Sequence, residues 1–129
     1  FAWLNTAKNN GGIEGVTYPI LADTTRNLSS ALGILDIEVG EYNEESDSYL
    51  IDGSNVTYRA TYLIDETGKI FHESVNDMPL GRNVNEYLRL IDAYTHVQTK
   101  GEVCPANWEE GKDAMVADRL STAAYLSQN

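Results

Sequence analysis

The sequence predicts an α/β layered domain, and three observations carry that reading. Two β-forming runs, Ala60 to Asp65 and Lys69 to Val75, are joined by the turn residues Glu66-Thr67-Gly68 and predict an antiparallel hairpin. After a break at Pro79 and Gly81, Val84, Tyr87, Leu88, Ile91 and Tyr94 recur at helical spacing and form one apolar stripe. Upstream, a short apolar run precedes a capped helical pattern, so strand, helix, hairpin and helix alternate along the chain.

Taken in order, residues 1–8 read as helix, ended by the breaker Asn9-Asn10-Gly11-Gly12. Because the chain opens on Phe1 in mid-pattern, further sequence is expected upstream, supplying the central strands of the sheet. Val16 to Ala22 predicts a buried strand. Asp23 or Thr24 then caps a helix with Leu28, Ala31 and Leu32 on one face, and Gly33 stands at its left-handed end. Residues 36–48 carry Glu38, Glu41, Glu44, Glu45 and Asp47 without the spacing or central glycine of a calcium loop, and read as a solvated loop. Tyr49-Leu50-Ile51 and Val56-Thr57-Tyr58 flank Asp52-Gly53-Ser54-Asn55 and predict a small hairpin. Asn83 and Glu86 have capping-box spacing at the head of the long helix. From Gly101 the chain is irregular, with a last helix expected near 113–126.

The 129 residues suffice for one domain, with 42% hydrophobic and 22% charged residues as in globular chains. Nine Lys and Arg oppose 20 Asp and Glu, a formal charge of −11. Binders of nucleic acid or anionic membranes show the opposite sign on one face, so neither partner is expected. No run approaches the roughly 20 apolar residues of a membrane span, and no secretory signal is visible. The sequons Asn27-Leu28-Ser29 and Asn55-Val56-Thr57 read as chance matches if the protein is cytosolic. His72 and His96 have no metal-ligand spacing and read as surface or packing residues; no metal site is expected.

Chemistry concentrates in Gly101-Glu102-Val103-Cys104-Pro105-Ala106-Asn107-Trp108. Cys104 is the one cysteine, so no disulfide forms within the chain. It is either a buried bystander or a thiol whose partner lies outside these residues. Pro105 disfavours helix at Cys104 and denies it the acidity of a helix first turn. Glu102, Glu109 and Glu110, opposed by Lys100 and Lys112, disfavour the thiolate further. Such a thiol is a poor primary nucleophile toward peroxide, yet it can attack a sulfenic acid held close by.

This segment resembles the resolving-cysteine motif of typical two-cysteine peroxiredoxins, including alkyl hydroperoxide reductase peroxidases. Ala2-Trp3-Leu4-Asn5-Thr6, Tyr18-Pro19-Ile20-Leu21-Ala22-Asp23, Tyr62-Leu63-Ile64-Asp65 and Val75-Asn76-Asp77-Met78-Pro79-Leu80-Gly81-Arg82 resemble that family in the same order. The resemblance implies a thioredoxin-like fold, incomplete here because the N-terminal strands and the peroxidatic-cysteine helix are absent. It implies residues 1–100 as the C-terminal part of the peroxiredoxin domain and 101–129 as the resolving-cysteine segment and tail. Cys104 would be the resolving cysteine, Arg59 the arginine beside the peroxidatic sulfur, and Arg82 a supporting charge near the same pocket.

The implied activity is reduction of hydrogen peroxide and alkyl hydroperoxides by a cytoplasmic, cofactor-free peroxidase. An intersubunit disulfide forms between Cys104 and an upstream peroxidatic cysteine, and a thioredoxin-like or flavoprotein disulfide reductase reopens it. The implied assembly is a homodimer, in many members a ring of five dimers. The chain departs from the family in lacking the first cysteine, so alone it is expected to be inactive. The glycine-rich loop tied to overoxidation is present in part as Gly11-Gly12-Ile13-Glu14, its companion tail as Tyr125-Leu126 without the second aromatic, and residues 38–57 exceed the expected length. A rival reading keeps the fold as a non-enzymatic assembly or chaperone-like subunit.

Overall fold

A computed structural model describes residues 2–128, with backbone only for Val39, Leu50, Ile51, Asp52 and Gln128. The chain forms two compact units that part between Leu35 and Asp36.

In the first unit, the helix expected over residues 1–8 is two short 3-10 turns, Trp3–Asn5 and Lys8–Asn10; Phe1 lies outside the described residues. Thr6 breaks the pattern: its backbone turns extended, with ψ 129°, and its hydroxyl donates to the Ala2 carbonyl at 2.9 Å. The Asn9-Asn10-Gly11-Gly12 breaker acts as read, Gly11 ending the second turn at φ 79°. Val16 to Ala22 is not a buried strand. Pro19 removes a ladder donor, no described strand lies alongside, and Tyr18 and Leu21 stand 67% and 86% exposed.

The helix that follows, α1 (Asn27–Ala31), has Arg26 at its N-cap position, and its first amides are held by the upstream Asp23. Its carboxylate accepts from the Leu28 and Ser29 amides at 3.2 and 2.8 Å and from the Ser29 hydroxyl at 2.7 Å. These bonds hold the Asp23 carboxyl below its ordinary pKa. Gly33 closes the helix at φ 67°, as the sequence predicts.

In the second unit, the acidic stretch is a hairpin of β1 (Glu38–Asn43) and β2 (Ser48–Asp52), not a loop. Its turn is organised by the Asn43 side chain, which accepts from the Glu45 and Ser46 amides at 3.0 and 3.1 Å. Tyr42 and Tyr49 face each other across the strands, ring centroids 5.1 Å apart. The hairpin expected around Asp52-Gly53-Ser54-Asn55 does not form, because β2 pairs with β1 and Asp36 captures the following loop. The Asp36 amide donates to Val56, its carbonyl accepts from Asn55, and its carboxylate accepts from the hydroxyls of Ser54 and Tyr58 at 2.5 and 3.0 Å. Gly53 is required here: it sits at φ 99°, and a Cβ would lie 2.6 Å from the Asp36 carbonyl oxygen.

The second predicted hairpin is present as β3 (Arg59–Ile64) and β4 (Ile70–Asn76), antiparallel from Arg59↔Asn76 to Ile64↔Ile70. A register shift between Leu63 and Ile64 places an extra residue in β4, so Phe71 and His72 both meet the long helix α2 (Val84–Lys100). Phe71 stacks on Tyr94 with centroids 3.9 Å apart, and His72 lies 6.0 Å from the Tyr87 ring. The Asn83 side chain caps α2 at the Asn85 amide, but Glu86 turns to Arg89 rather than completing a capping box. Of the predicted stripe, Tyr87 and Tyr94 are half-buried, while Val84, Leu88 and Ile91 remain exposed.

The last helix, α3 (Arg119–Gln128), starts later than expected. Met115 bridges to Val103 by two backbone bonds of 2.7 and 3.1 Å, and the Asp118 carboxylate caps the Leu120 and Ser121 amides.

Candidate functional site

The segment bearing Cys104 runs back along α2 and is pinned to it at three places. Residues 89, 93 and 96 share one face of the helix, since spacings of four and three close a turn. His96 Nε2 lies 2.8 Å from a Glu102 carboxylate oxygen. The Ala93 carbonyl accepts from the Cys104 thiol, Sγ to O 3.7 Å. The Arg89 Nη1 donates to the Trp108 carbonyl at 2.9 Å. Helix positions 96, 93 and 89 thus meet segment positions 102, 104 and 108 in antiparallel order.

The downstream pin is the firmest. Arg89 directs Nε and Nη2 to the two Glu86 oxygens, both at 2.7 Å, which leaves Nη1 aimed at the segment. Trp108 is 2% exposed, and its indole donates to the Lys112 carbonyl at 3.0 Å while its ring packs 4.8 Å from His96. Glu86 holds the Arg89 guanidinium above its ordinary pKa, aided by the charges of Glu109 and Cys104, while desolvation works against it.

Cys104 is a free, half-buried thiol. Burial raises its pKa first and the charge of Glu102 second, with Arg89 pulling the other way. The reluctance read from the sequence is present, but its main cause is desolvation, and the opposing cation is Arg89 rather than Lys100 or Lys112. Arg89 escaped the sequence reading because Glu86 was absorbed into a capping box; the Glu86, Arg89, Ala93, His96 spacing was the available signal.

Arg59 and Arg82 each bond a backbone carbonyl near the open end of the β3–β4 hairpin. The Arg59 Nε donates to the Met78 carbonyl at 2.6 Å, and Arg82 Nη1 reaches the Ala60 carbonyl at 3.2 Å. Asn76 Nδ2 bonds the Gly81 carbonyl at 3.0 Å, folding the connecting loop against the strand start. Both guanidinium-bearing residues are exposed. Among the described residues, no hydrogen bond or ion pair joins either arginine to Cys104, so the structure shows two clusters, an arginine pair and a docked thiol. Tyr125 lines a cleft with Pro105, Ala106, Asn107 and Trp108. Among the described residues, no His, Cys, Asp and Glu group could hold a metal ion, and no helix is long and apolar enough to cross a membrane.

An α/β scaffold with a thiol docked on one helix and paired arginines at a hairpin end is the class of protein that comparison with known chains then specifies. The family model described as the AhpC/TSA family matches residues 2–73, and the C-terminal domain of 1-Cys peroxiredoxin matches residues 93–127. The chain belongs to the AhpC/TSA family. It is 39% identical to alkyl hydroperoxide reductase C of Helicobacter pylori over all its length and 57% of that protein. It is 41% identical to the human mitochondrial thioredoxin-dependent peroxide reductase, covering 98% of this chain and 44% of that one. The reduced 2-Cys peroxiredoxin of Plasmodium vivax superposes with a TM-score of 0.79 at 35% identity, over 98% of this chain and 57% of that one. The chain therefore carries part of the thioredoxin-like fold expected from its sequence, and spans between 44% and 57% of the length of these relatives.

Proposed function

We propose that this chain is the C-terminal part of a typical two-cysteine peroxiredoxin subunit, with Cys104 as the resolving cysteine. The observation that carries the reading is the state of that thiol: half-buried, bonded to the Ala93 carbonyl and less acidic than an ordinary cysteine. A thiol so held reacts poorly with peroxide and suits a second step. An upstream peroxidatic thiolate attacks hydrogen peroxide or an alkyl hydroperoxide. The O–O bond breaks, water or an alcohol leaves, and a sulfenic acid forms. The Cys104 sulfur of a second subunit then displaces its hydroxyl as water, giving an intersubunit disulfide. A thioredoxin-like or flavoprotein disulfide reductase returns two electrons and two protons. The reading calls for no metal or organic cofactor.

Arg59 and Arg82 are proposed as catalytic charges, Arg59 beside the peroxidatic sulfur and Arg82 in support, and their gathering at one hairpin end favours this assignment. We further propose a division at residue 100, a homodimer that assembles into a ring of five, and a cytoplasmic location. A thiol re-reduced in every cycle suits a reducing compartment, although the human relative is named mitochondrial, and fractionation distinguishes the two. The exposed apolar residues Ile64, Val84 and Leu88 favour burial in an assembly and also sustain the second reading, a non-enzymatic assembly subunit.

The test uses a polypeptide joining this chain to the upstream half its relatives possess. Peroxide consumption with a dimer band on a non-reducing gel is the expected result. An assembled protein that consumes no peroxide would establish the second reading instead.

A further inference from the structure

We propose that Arg89 is a positioning residue for the resolving step: locked by Glu86, it keeps the Cys104 segment docked on α2 and sets how often the thiol is released to react. The inference rests on the resolving role assigned above and adds the element that governs it.

Docked, the thiol faces the wrong way. Its S–H points at the Ala93 carbonyl of its own subunit, so the sulfur is turned into the helix rather than toward an outside partner. Reaction with a second sulfur therefore requires the segment to lift, a local opening rather than global unfolding. The contacts that must break are the three pins. The His96–Glu102 pair is one short contact between side chains 23% and 40% exposed. The Arg89 pin is stronger in kind, because two bonds to Glu86 fix the guanidinium before it meets Trp108, so little freedom is lost in making the third bond. Trp108, the most deeply buried described side chain of the segment, rises with the chain that Arg89 holds. Arg89 also draws the thiol toward ionisation, but burial and Glu102 outweigh that pull. Its dominant effect is retention.

The experiment measures modification of Cys104 by a maleimide near neutral pH, alongside denaturant unfolding and far-UV circular dichroism. Wild type is compared with Arg89→Gln, Arg89→Lys and Glu86→Gln. Arg89→Gln is expected to react about tenfold faster, the scale of one lost charge-assisted hydrogen bond. Arg89→Lys, which keeps the charge without the fork, should fall between the two, and Glu86→Gln should accelerate labelling severalfold. An acceleration no larger than the fall in global stability would make Arg89 merely structural and overturn the proposal, as would an unchanged rate in folded Arg89→Gln. Should Arg89→Gln fail to fold, Glu86→Gln decides: wild-type labelling overturns the proposal, and faster labelling with retained dichroism supports it. Labelling needs neither peroxide nor a second thiol, so the two ideas fail separately. Equal labelling rates beside normal peroxide turnover would remove the clasp alone. Absent peroxide turnover beside altered labelling would remove the resolving role alone.

Discussion

The Tyr94 hydroxyl donates to the Asp65 carboxylate at 2.8 Å, tying the middle of α2 to the turn of the β3–β4 hairpin across 29 residues of chain. Asp65 also accepts from the Thr67 amide and hydroxyl at 2.9 and 2.6 Å and from the Lys69 amide at 3.0 Å. One carboxylate therefore organises both the turn and its docking to the helix.

These bonds lower the Asp65 pKa to about 2, with the Thr67 hydroxyl the largest cause and the Tyr94 hydroxyl next. The folded value lies below the unfolded one, so the stabilisation is complete above the ordinary carboxylate range near pH 4. It is lost as the pH falls toward 2. Asp65→Asn should flatten that acid limb of the stability curve and lower the neutral-pH thermal midpoint by roughly 5 °C. A variant whose acid limb matches wild type would show that Asp65 does not carry the effect.

Gly53→Ala should destabilise the loop behind β2 by about 2 kcal/mol, because it combines a left-handed backbone with a Cβ driven against Asp36. Hydrogen exchange is expected to rise at the Asn55 amide, whose partner is the Asp36 carbonyl, and to stay unchanged at the Leu120 amide capped by Asp118. Uniform change at both sites would mean a general loss of stability instead.

Local patterns were legible in the sequence where the residues that signal an element also make its contacts. The β3–β4 hairpin, the Asn83 cap and the Gly33 helix end are of this kind. Val16 to Ala22 was misread because apolar character alone cannot tell a strand from an extended run without a ladder partner. The β1–β2 hairpin was missed because Asp52-Gly53 is the stronger textual turn signal, while Asp36, far upstream, removes that turn from use. At the site, the acidic surroundings of Cys104 were readable, but desolvation and Arg89 arise only when the segment folds back on α2.

Arg59→Ala in the longer polypeptide should slow peroxide reduction on the order of 10²-fold, the scale of removing one preorganised charge donor. Arg82→Ala should cost much less. Its reach to the Ala60 carbonyl makes it a support for the strand start as well as a charge. Single-turnover oxidation within a few-fold of wild type would take Arg59 off the catalytic list.

Cys104→Ser separates three roles for the thiol. Burial and Glu102 disfavour its ionised form, and the chain holds no second cysteine; in the proposed resolving role it acts second, on a sulfur from elsewhere. In the longer polypeptide the variant should therefore keep the first burst of peroxide reduction. It should lose the disulfide-linked dimer on a non-reducing gel and fail to recycle with a thioredoxin-like reductant. A peroxidatic cysteine would instead lose the burst itself. A packing cysteine would lower stability and leave cycling intact, because serine is smaller and more polar than the half-buried thiol beside the Ala93 carbonyl. Burst amplitude and gel band, read on the same samples, tell the three apart, and a burst that disappears in Cys104→Ser would end the resolving assignment.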